Sequence, residues 1–240
     1  MTQVVPVFKR EFHGYFRSPV GYVVLAALVI LVNILWLFIY GFFRSRTASL
    51  ESMFAGLPWI FAIFVPAAAM RLWAEEKRSG SIELLLTLPL TTTEAVIGKF
   101  LAAWAFISLG IVLTFPAVIT VAYLGQPDWG AIFTGYFGAV LMAAAYIGIC
   151  SFGSAMTRNQ VISFIISLII CLILTFLGTN IFSDFLGGYA PVWLVDAIAN
   201  FSFATHFQSL TLGLVDLSSV VFFLSIAGAA LVANIVVLER

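Results

Sequence analysis

The sequence predicts an all-α membrane protein with six transmembrane helices. Hydrophobic residues make up 62% of the 240 residues and charged residues only 9%, whereas soluble proteins average about 25% charged residues. Six apolar stretches approach the ~20 residues that a helix needs to cross a bilayer. These predicted spans are residues 20–43, 54–73, 98–124, 131–156, 161–182 and 218–238. We therefore expect one transmembrane domain over residues 1–240. The net charge of zero argues against a nucleic-acid partner.

Residues 1–19 precede the first span and are predicted to form an amphipathic helix. Val4, Phe8 and Phe12 recur at helical spacing, and basic side chains fall on the other faces. Such a helix lies in the membrane interface with its cations near anionic headgroups. Those cations are Lys9, Arg10 and Arg17.

The distribution of basic residues predicts that both termini face the cytoplasm. With the N-terminus inside, only Arg44 and Arg46 of the 11 Lys and Arg residues fall on the outer side. This is a positive-inside bias. The inner loops and helix ends carry Lys9, Arg10, Arg17, Arg71, Lys77, Arg78, Lys99, Arg158 and Arg240.

The loop over residues 74–97 is predicted to be a cytoplasmic docking element. It contains five leucines, and so many apolar side chains in a water-exposed loop indicate a contact that buries them. The leucines are Leu84, Leu85, Leu86, Leu88 and Leu90. Burying each one against a partner would contribute roughly 1.5 to 3 kcal/mol. The alternative is that the leucines lie on lipid headgroups or under the protein's own helices.

Capping signals in this loop predict a short helix between two corners. Ser79 or Ser81 can cap it, since a serine hydroxyl accepts from an unpaired amide of the first turn. Pro89 ends it by disfavouring helical geometry at the preceding residue. Thr91 and Glu94 form a capping-box signature that begins the next helix.

The predicted spans carry no ionisable residue near their middle. Arg71 and Lys99 stand at span ends, where their side chains can extend to the interface. Asn33 and Asn234 are the strongest polar groups within the spans, and each is expected to form an interhelical hydrogen bond. The small residues of the fourth span should let another backbone approach closely; they are Gly135, Gly138, Ala144, Gly148 and Gly153.

A stripe of small polar residues recurs at every fourth position of the fifth span. It consists of Ser163, Ser167, Cys171, Thr175 and Thr179. One interpretation is a close contact across a dimer or the wall of a polar path. The other is that each hydroxyl bonds to its own helix while the face packs generically.

The outer segment over residues 183–217 is too apolar for a free loop. Pro191 can open a helix, and the aromatic residues that follow are typical of a membrane interface. We expect one or two short helices that dip into the outer leaflet. His206 with Asp196 would be needed for an intramembrane enzyme, but no second histidine stands at a metal-ligand spacing. A surface histidine is the favoured interpretation.

The sequence contains no HExxH motif, no GxSxG elbow and no Walker A loop, which are the usual carriers of hydrolytic and ATP chemistry. We expect the chain to be no enzyme by itself, and to bind no metal or cofactor of its own. If ATP drives it, the ATPase is another polypeptide.

The stretch EEKRSGSIELLLTLPLTTTEAVIGKFLAAW over residues 75–104 resembles the signature region of ABC-2 type transporter permeases. The segments KREFHGYFRSPVGYVV (9–24) and THFQSLTLGLVDLSSVVFFLS (205–225) are similar to the gliding-motility-type branch of that family. This branch also resembles permeases of the copper-maturation exporter kind.

The resemblance implies a permease subunit of an ATP-driven exporter in the bacterial inner membrane. It would pair with itself or a paralogue and bind two copies of a cytoplasmic ATPase, which would hold ATP and Mg. The outer helices would be re-entrant elements. The alternative is a mechanotransmission or scaffold subunit, which passes ATPase motion to a subunit with an extracytoplasmic domain without moving a substrate.

The resemblance also assigns roles to particular residues. A coupling helix over residues 82–88 would seat in the ATPase, and residues 1–19 would form the connecting helix. The coupling residues are Glu75, Glu76, Arg78, Gly80, Ser81, Ile82, Glu83, Leu84, Leu85, Leu88 and Pro89. The connecting-helix residues are Phe8, Lys9, Arg10, Phe12 and Arg17.

Overall fold

The computed structural model describes residues 3–39, 42–45, 47–81, 91–179, 182 and 191–239. The predicted coupling helix over residues 82–88 lies outside this part of the chain, and so does the start of the outer segment, residues 183–190. The predicted coupling residues that lie outside it are Ile82, Glu83, Leu84, Leu85, Leu88 and Pro89.

All regular elements of the described residues are helical, as the sequence predicts. In chain order they are α1 (Val4–Arg17), α2 (Pro19–Ile34) with a π-helical turn (Leu35–Ile39), α3 (Phe42–Ser45), α4 (Glu51–Ala69), α5 (Ala74–Ser79), α6 (Thr92–Val112), α7 (Pro116–Leu124), α8 (Trp129–Ala155), α9 (Gln160–Phe176), α10 (Val192–Ala199), α11 (Phe203–Thr211) and α12 (Leu217–Leu238).

Five helical stretches of the described chain are long and apolar enough to cross a membrane. They are Pro19–Ile39, Glu51–Ser79, Thr92–Leu124, Trp129–Ala155 and Leu217–Leu238. The helix that matches the fifth predicted span, α9, is apolar but has only 17 residues. The protein is therefore a multi-pass membrane protein with at least these five candidate spans.

The third candidate span is longer than a bilayer requires. Its 33 residues rise about 50 Å at ~1.5 Å per residue, against a hydrocarbon core of about 30 Å. Its N-terminal turns carry two charged residues, Glu94 and Lys99. The predicted capping box begins it: Thr91 Oγ1 accepts from the Glu94 amide, and the Glu94 carboxylate accepts from the Thr91 amide, both at 3.2 Å.

The central helix of the fold is α8, which contacts α4, α6, α9, α11 and α12. Its glycines permit these approaches, as predicted. A Cβ at Gly148 would lie 3.3 Å from the Ala227 backbone of α12, and one at Gly138 would lie 2.8 Å from the Leu210 side chain of α11. Packing in a membrane depends on such close contacts, since lipid is as apolar as the helix surface.

We expect Gly148→Leu to destabilise the protein by about 1–3 kcal/mol, the usual cost of overpacking a tight contact. The backbone of Ala227 cannot move aside as a flexible side chain could. The measurement is the midpoint of thermal unfolding in detergent. The matched control is Gly228→Leu on α12, because a Cβ there meets nothing within 4 Å; equal midpoints for the two variants would contradict the α8–α12 packing.

Candidate functional site

The regular helix of the second candidate span is interrupted at residues 70–73, which form a turn between α4 and α5; we call this turn the elbow. Ser154 of α8 holds it in place. The Ser154 hydroxyl donates to the Met70 carbonyl at 2.9 Å and accepts from the amides of Trp73 and Ala74, each at 3.1 Å. The backbone groups released by the turn are therefore paired with α8 and not with water.

A second contact ties the elbow to the last span. The indole of Trp73 donates to Ser151 Oγ at 3.1 Å, and the Asn234 side-chain amide of α12 donates to the same oxygen at 2.6 Å. The predicted interhelical hydrogen bond of Asn234 is thus confirmed. The same prediction is wrong for Asn33, whose side-chain amide donates to the Val29 carbonyl of its own helix at 2.8 Å. Through Ser151 and Ser154, the elbow, α8 and α12 share one buried hydrogen-bond network.

Lys99, near the base of α6, is buried, with 2% of its surface exposed. Its ammonium donates to the Leu72 carbonyl of the elbow and to Glu76 Oε1 of α5, both at 2.9 Å. It also lies 3.3 Å from Glu11 Oε1 of α1 and 5.0 Å from the centre of the Trp73 ring. An ammonium has three donors, and three acceptors surround this one.

The prediction that Lys99 extends to the interface is therefore wrong. The elbow, α5 and α1 surround this position and supply the Leu72 carbonyl, the Glu76 carboxylate and the Glu11 carboxylate, respectively. Burying an ammonium without partners would be strongly unfavourable, and these contacts offset most of that desolvation cost. Arg10 adds a further charge to the group, since its guanidinium lies 2.7 Å from Glu11 and 3.7 Å from Glu76. We call Arg10, Glu11, Glu76 and Lys99 the Lys99 cluster.

The amphipathic helix α1 packs along α6. A Cβ at Gly98 would lie 2.7 Å from the Val7 side chain, and the ring of Tyr15 stacks on Phe106 at 4.3 Å. Both contacts advance by eight residues, so the two helices run in the same direction here. The Tyr15 hydroxyl donates to the Ala68 carbonyl of α4 at 3.3 Å. Burial and the nearby Glu11 carboxylate raise the pKa of this phenol.

The predicted connecting-helix residues divide between two environments. Phe8 and Phe12 are half-buried and their rings lie 5.6 Å apart. Lys9, Arg10 and Arg17 are exposed. One face of α1 therefore packs on the protein. Lys9 and Arg17 are exposed to headgroups or a partner, whereas the exposed Arg10 is paired with Glu11.

The predicted coupling residues within the described chain also divide. Glu75, Arg78 and Gly80 are exposed, whereas Glu76 belongs to the Lys99 cluster. Gly80 ends α5 in the left-handed conformation, with φ of 73°, which glycine adopts without a Cβ clash. Half-buried Ser81 lies 2.9 Å from Ser79 through their hydroxyls.

The polar stripe of α9 lies inside the protomer. Ser163, Ser167, Cys171 and Thr175 have no exposed surface, because α9 packs on α4 and α8. The hypothesis of a dimer or pathway face therefore does not hold for these four residues, which the chain's own helices cover. Half-buried Thr179 donates to its own helix, at the Phe176 carbonyl.

On the opposite side of the fold, α10 and α11 are the short helices predicted before the last span. His206 of α11 is half-buried, and its ring stacks on Phe222 at 4.0 Å. Its Nε2 donates to the Asn200 carbonyl at 2.9 Å, and Nδ1 lies 3.2 Å from Ser219 Oγ. Among the described residues no group of His, Cys, Asp and Glu could hold a metal ion. His206 therefore acts as a packing contact between α11 and α12.

A family model described as "ABC-2 family transporter protein" matches residues 5–238. No curated protein matches the chain.

Proposed function

The chain belongs to the ABC-2 family of transporter proteins, and on that premise we propose that it is the permease subunit of an ATP-driven exporter. Two copies, or one copy and a paralogue, would pair in the bacterial inner membrane. Each would bind a cytoplasmic ATPase that holds ATP and Mg. In this proposal α9 is the fifth of six crossings, and both termini are cytoplasmic.

The observation that carries the proposal is the Lys99 cluster. Residues 82–88, the proposed coupling helix, directly follow α5. Glu76 of α5 is bonded to Lys99 of α6, and Lys99 is bonded in turn to Glu11 of α1. A displacement of the coupling helix would therefore move α1, α5 and α6 together. Separating them would expose buried charges to an environment that does not pair them, at a cost of about 3–5 kcal/mol.

The elbow extends this linkage to the centre of the fold. Its hydrogen bonds to Ser154 and Ser151 connect α5 with α8, and Asn234 connects the same point with α12. We propose that ATP draws the two ATPases together, that the coupling helices follow, and that the crossings rearrange around a path at the dimer axis. This is alternating access driven from the cytoplasmic side.

One observation also favours the alternative, in which motion passes to an extracytoplasmic partner. Helix α8 is unbroken from Ser154 at the elbow to Gly138, which packs under Leu210 of the outer helix α11. A rigid helix of this length could move α11 directly. Export and mechanotransmission differ in whether a substrate crosses.

The test is co-expression of this chain with a cytoplasmic ABC ATPase proposed as its partner, followed by purification and reconstitution into proteoliposomes. We expect a stable complex whose ATP turnover exceeds that of the ATPase alone. A purified permease that neither binds the ATPase nor changes its turnover would refute the proposal. Turnover with no lipid or hydrophobic compound moved across the bilayer would select mechanotransmission over export.

A further inference from the structure

A cavity of about 250 Å³ opens between α1, the elbow and the base of α6; we call it the notch. We infer that the notch receives a lysine or arginine side chain of the partner ATPase. This inference rests on the proposed function, since it concerns the same cytoplasmic face. The residues whose charges decide it are Glu11, Arg71, Glu75, Glu76 and Lys99.

The size of the notch suits one side chain. Pockets for small molecules usually enclose about 300–1,000 Å³, more than this cavity offers. Gly14 of α1 lines the notch, and a Cβ there would meet nothing within 4 Å. The wall at Gly14 is therefore open enough for an incoming side chain to pass.

The charges of the notch leave acceptors without donors. Lys99 donates to Leu72 and Glu76 and forms an ion pair with Glu11 at 3.3 Å, and Arg10 also pairs with Glu11. Arg71 donates to Ser18 Oγ at 3.5 Å, and within the described chain no ion pair involves Arg71 or Glu75. The carboxylate of Glu75 is exposed at the mouth, where it would attract a cation.

Deeper in the notch, one carboxylate oxygen has no donor. Glu76 Oε1 is bonded to Lys99, but Glu76 Oε2 is buried and without a hydrogen-bond partner in the described residues. A buried charged oxygen left unpaired is unfavourable. An ammonium or guanidinium that enters past Glu75 would supply the missing donor after a small rotation of the Glu76 side chain.

A phospholipid with an ammonium headgroup is the competing occupant, and the charges disfavour it. Such a lipid brings a phosphate with its ammonium. Three carboxylates of the notch, Glu11, Glu75 and Glu76, would repel that anion, against the two cations Arg71 and Lys99, of which Lys99 is already paired with Glu11 and Glu76. A basic side chain of a protein carries no such anion. The notch also lies beside the start of residues 82–88, the proposed contact with the ATPase.

The test uses Gly14→Arg, which places a guanidinium from α1 itself in the notch and so competes with the partner's side chain. The control is Gly14→Ala, which leaves the notch open and favours the helix. The full-length permease is placed in nanodiscs of phosphatidylcholine and phosphatidylglycerol, which contain no primary-amine lipid, and the purified ATPase is titrated. We expect about tenfold weaker binding for Gly14→Arg and wild-type binding for Gly14→Ala.

A second pair of variants identifies the partner group. Glu75→Lys should weaken ATPase binding about tenfold as well, and reversing one Lys or Arg of the ATPase to Glu should restore it. Equal affinity of Gly14→Arg and Gly14→Ala, or no restoring reversal in a scan of the ATPase's basic surface residues, overturns the inference while the proposed function stands. A Gly14→Arg effect that appears only when phosphatidylethanolamine is added assigns the notch to lipid. A wild-type permease that binds no ATPase refutes the proposed function itself.

Discussion

Replacing Leu84 and Leu85 together by aspartate is expected to abolish stimulation of ATP turnover by the permease while membrane insertion stays intact. Each leucine would bury its side chain in the ATPase, and that burial contributes roughly 1.5–3 kcal/mol. Losing both would therefore weaken binding by about 100-fold or more, since ~1.4 kcal/mol corresponds to tenfold. Two buried carboxylates would weaken it further. The measurement is turnover of the reconstituted complex across a titration of ATPase.

The matched control is the double variant Leu84→Ile and Leu85→Ile, which buries nearly the same apolar area. It should keep ATPase stimulation close to that of the wild type. Protease protection of the proteoliposomes checks that both variants insert with wild-type topology. Unchanged turnover in the aspartate variant would place these leucines on lipid or under the protein's own helices, and would remove residues 82–88 from the docking role.

Much of the fold was predictable because a bilayer restricts the length and composition of the helices that can cross it. A helix that crosses lipid must be apolar over about 20 residues, and five such stretches in the structure coincide with predicted spans. The capping box at Thr91 was predictable from the local sequence, because both of its hydrogen bonds join residues three positions apart. The small residues at Gly138 and Gly148 predict that another helix approaches closely there, but they do not predict which helix it is.

The Lys99 cluster was not predictable in the same way. Its members come from α1, α5 and α6, and two whole candidate spans lie between Glu11 and Lys99 in the sequence. The sequence did carry a weak signal, since Glu11 is the only acidic residue among the cations of α1. An acid on a helix that otherwise faces anionic headgroups points to a basic partner inside the protein.

The polar stripe of α9 shows the opposite error. Its spacing of four residues establishes that Ser163, Ser167, Cys171 and Thr175 share one face, but not what covers that face. In the structure the covering elements are α4 and α8, and a Cβ at Gly153 of α8 would lie 2.5 Å from Ser167 Oγ. Small residues permit a close contact equally well within one chain and between two.

Replacing Lys99 by methionine is expected to uncouple ATP turnover from the permease and to destabilise it. The ammonium would be gone, while the Glu11 and Glu76 carboxylates remain, with 21% and 18% of their side chains exposed. Glu11 would keep its ion pair with Arg10, so the loss falls mainly on Glu76. Leaving a buried charge without its partner costs about 3–5 kcal/mol, and the partial exposure of these carboxylates places this case at the lower end. Thermal unfolding in detergent measures this loss. Lys99→Arg is a poor substitute, because a planar guanidinium cannot direct three donors as an ammonium does.

A triple variant separates coupling from stability. Lys99→Met combined with Glu11→Gln and Glu76→Gln removes three of the four charges of the Lys99 cluster and leaves only the exposed Arg10. Neutral replacement of a buried ion group usually recovers most of the lost stability. The bonds that join α1, α5 and α6 would still be missing, so a displacement of residues 82–88 should no longer move these helices together. We expect the unfolding midpoint to return toward that of the wild type, while stimulated turnover stays 5- to 150-fold lower, the range of a coupling free energy of about 1–3 kcal/mol. Full stimulation in the folded triple variant would show that the cluster only stabilises the fold and transmits nothing.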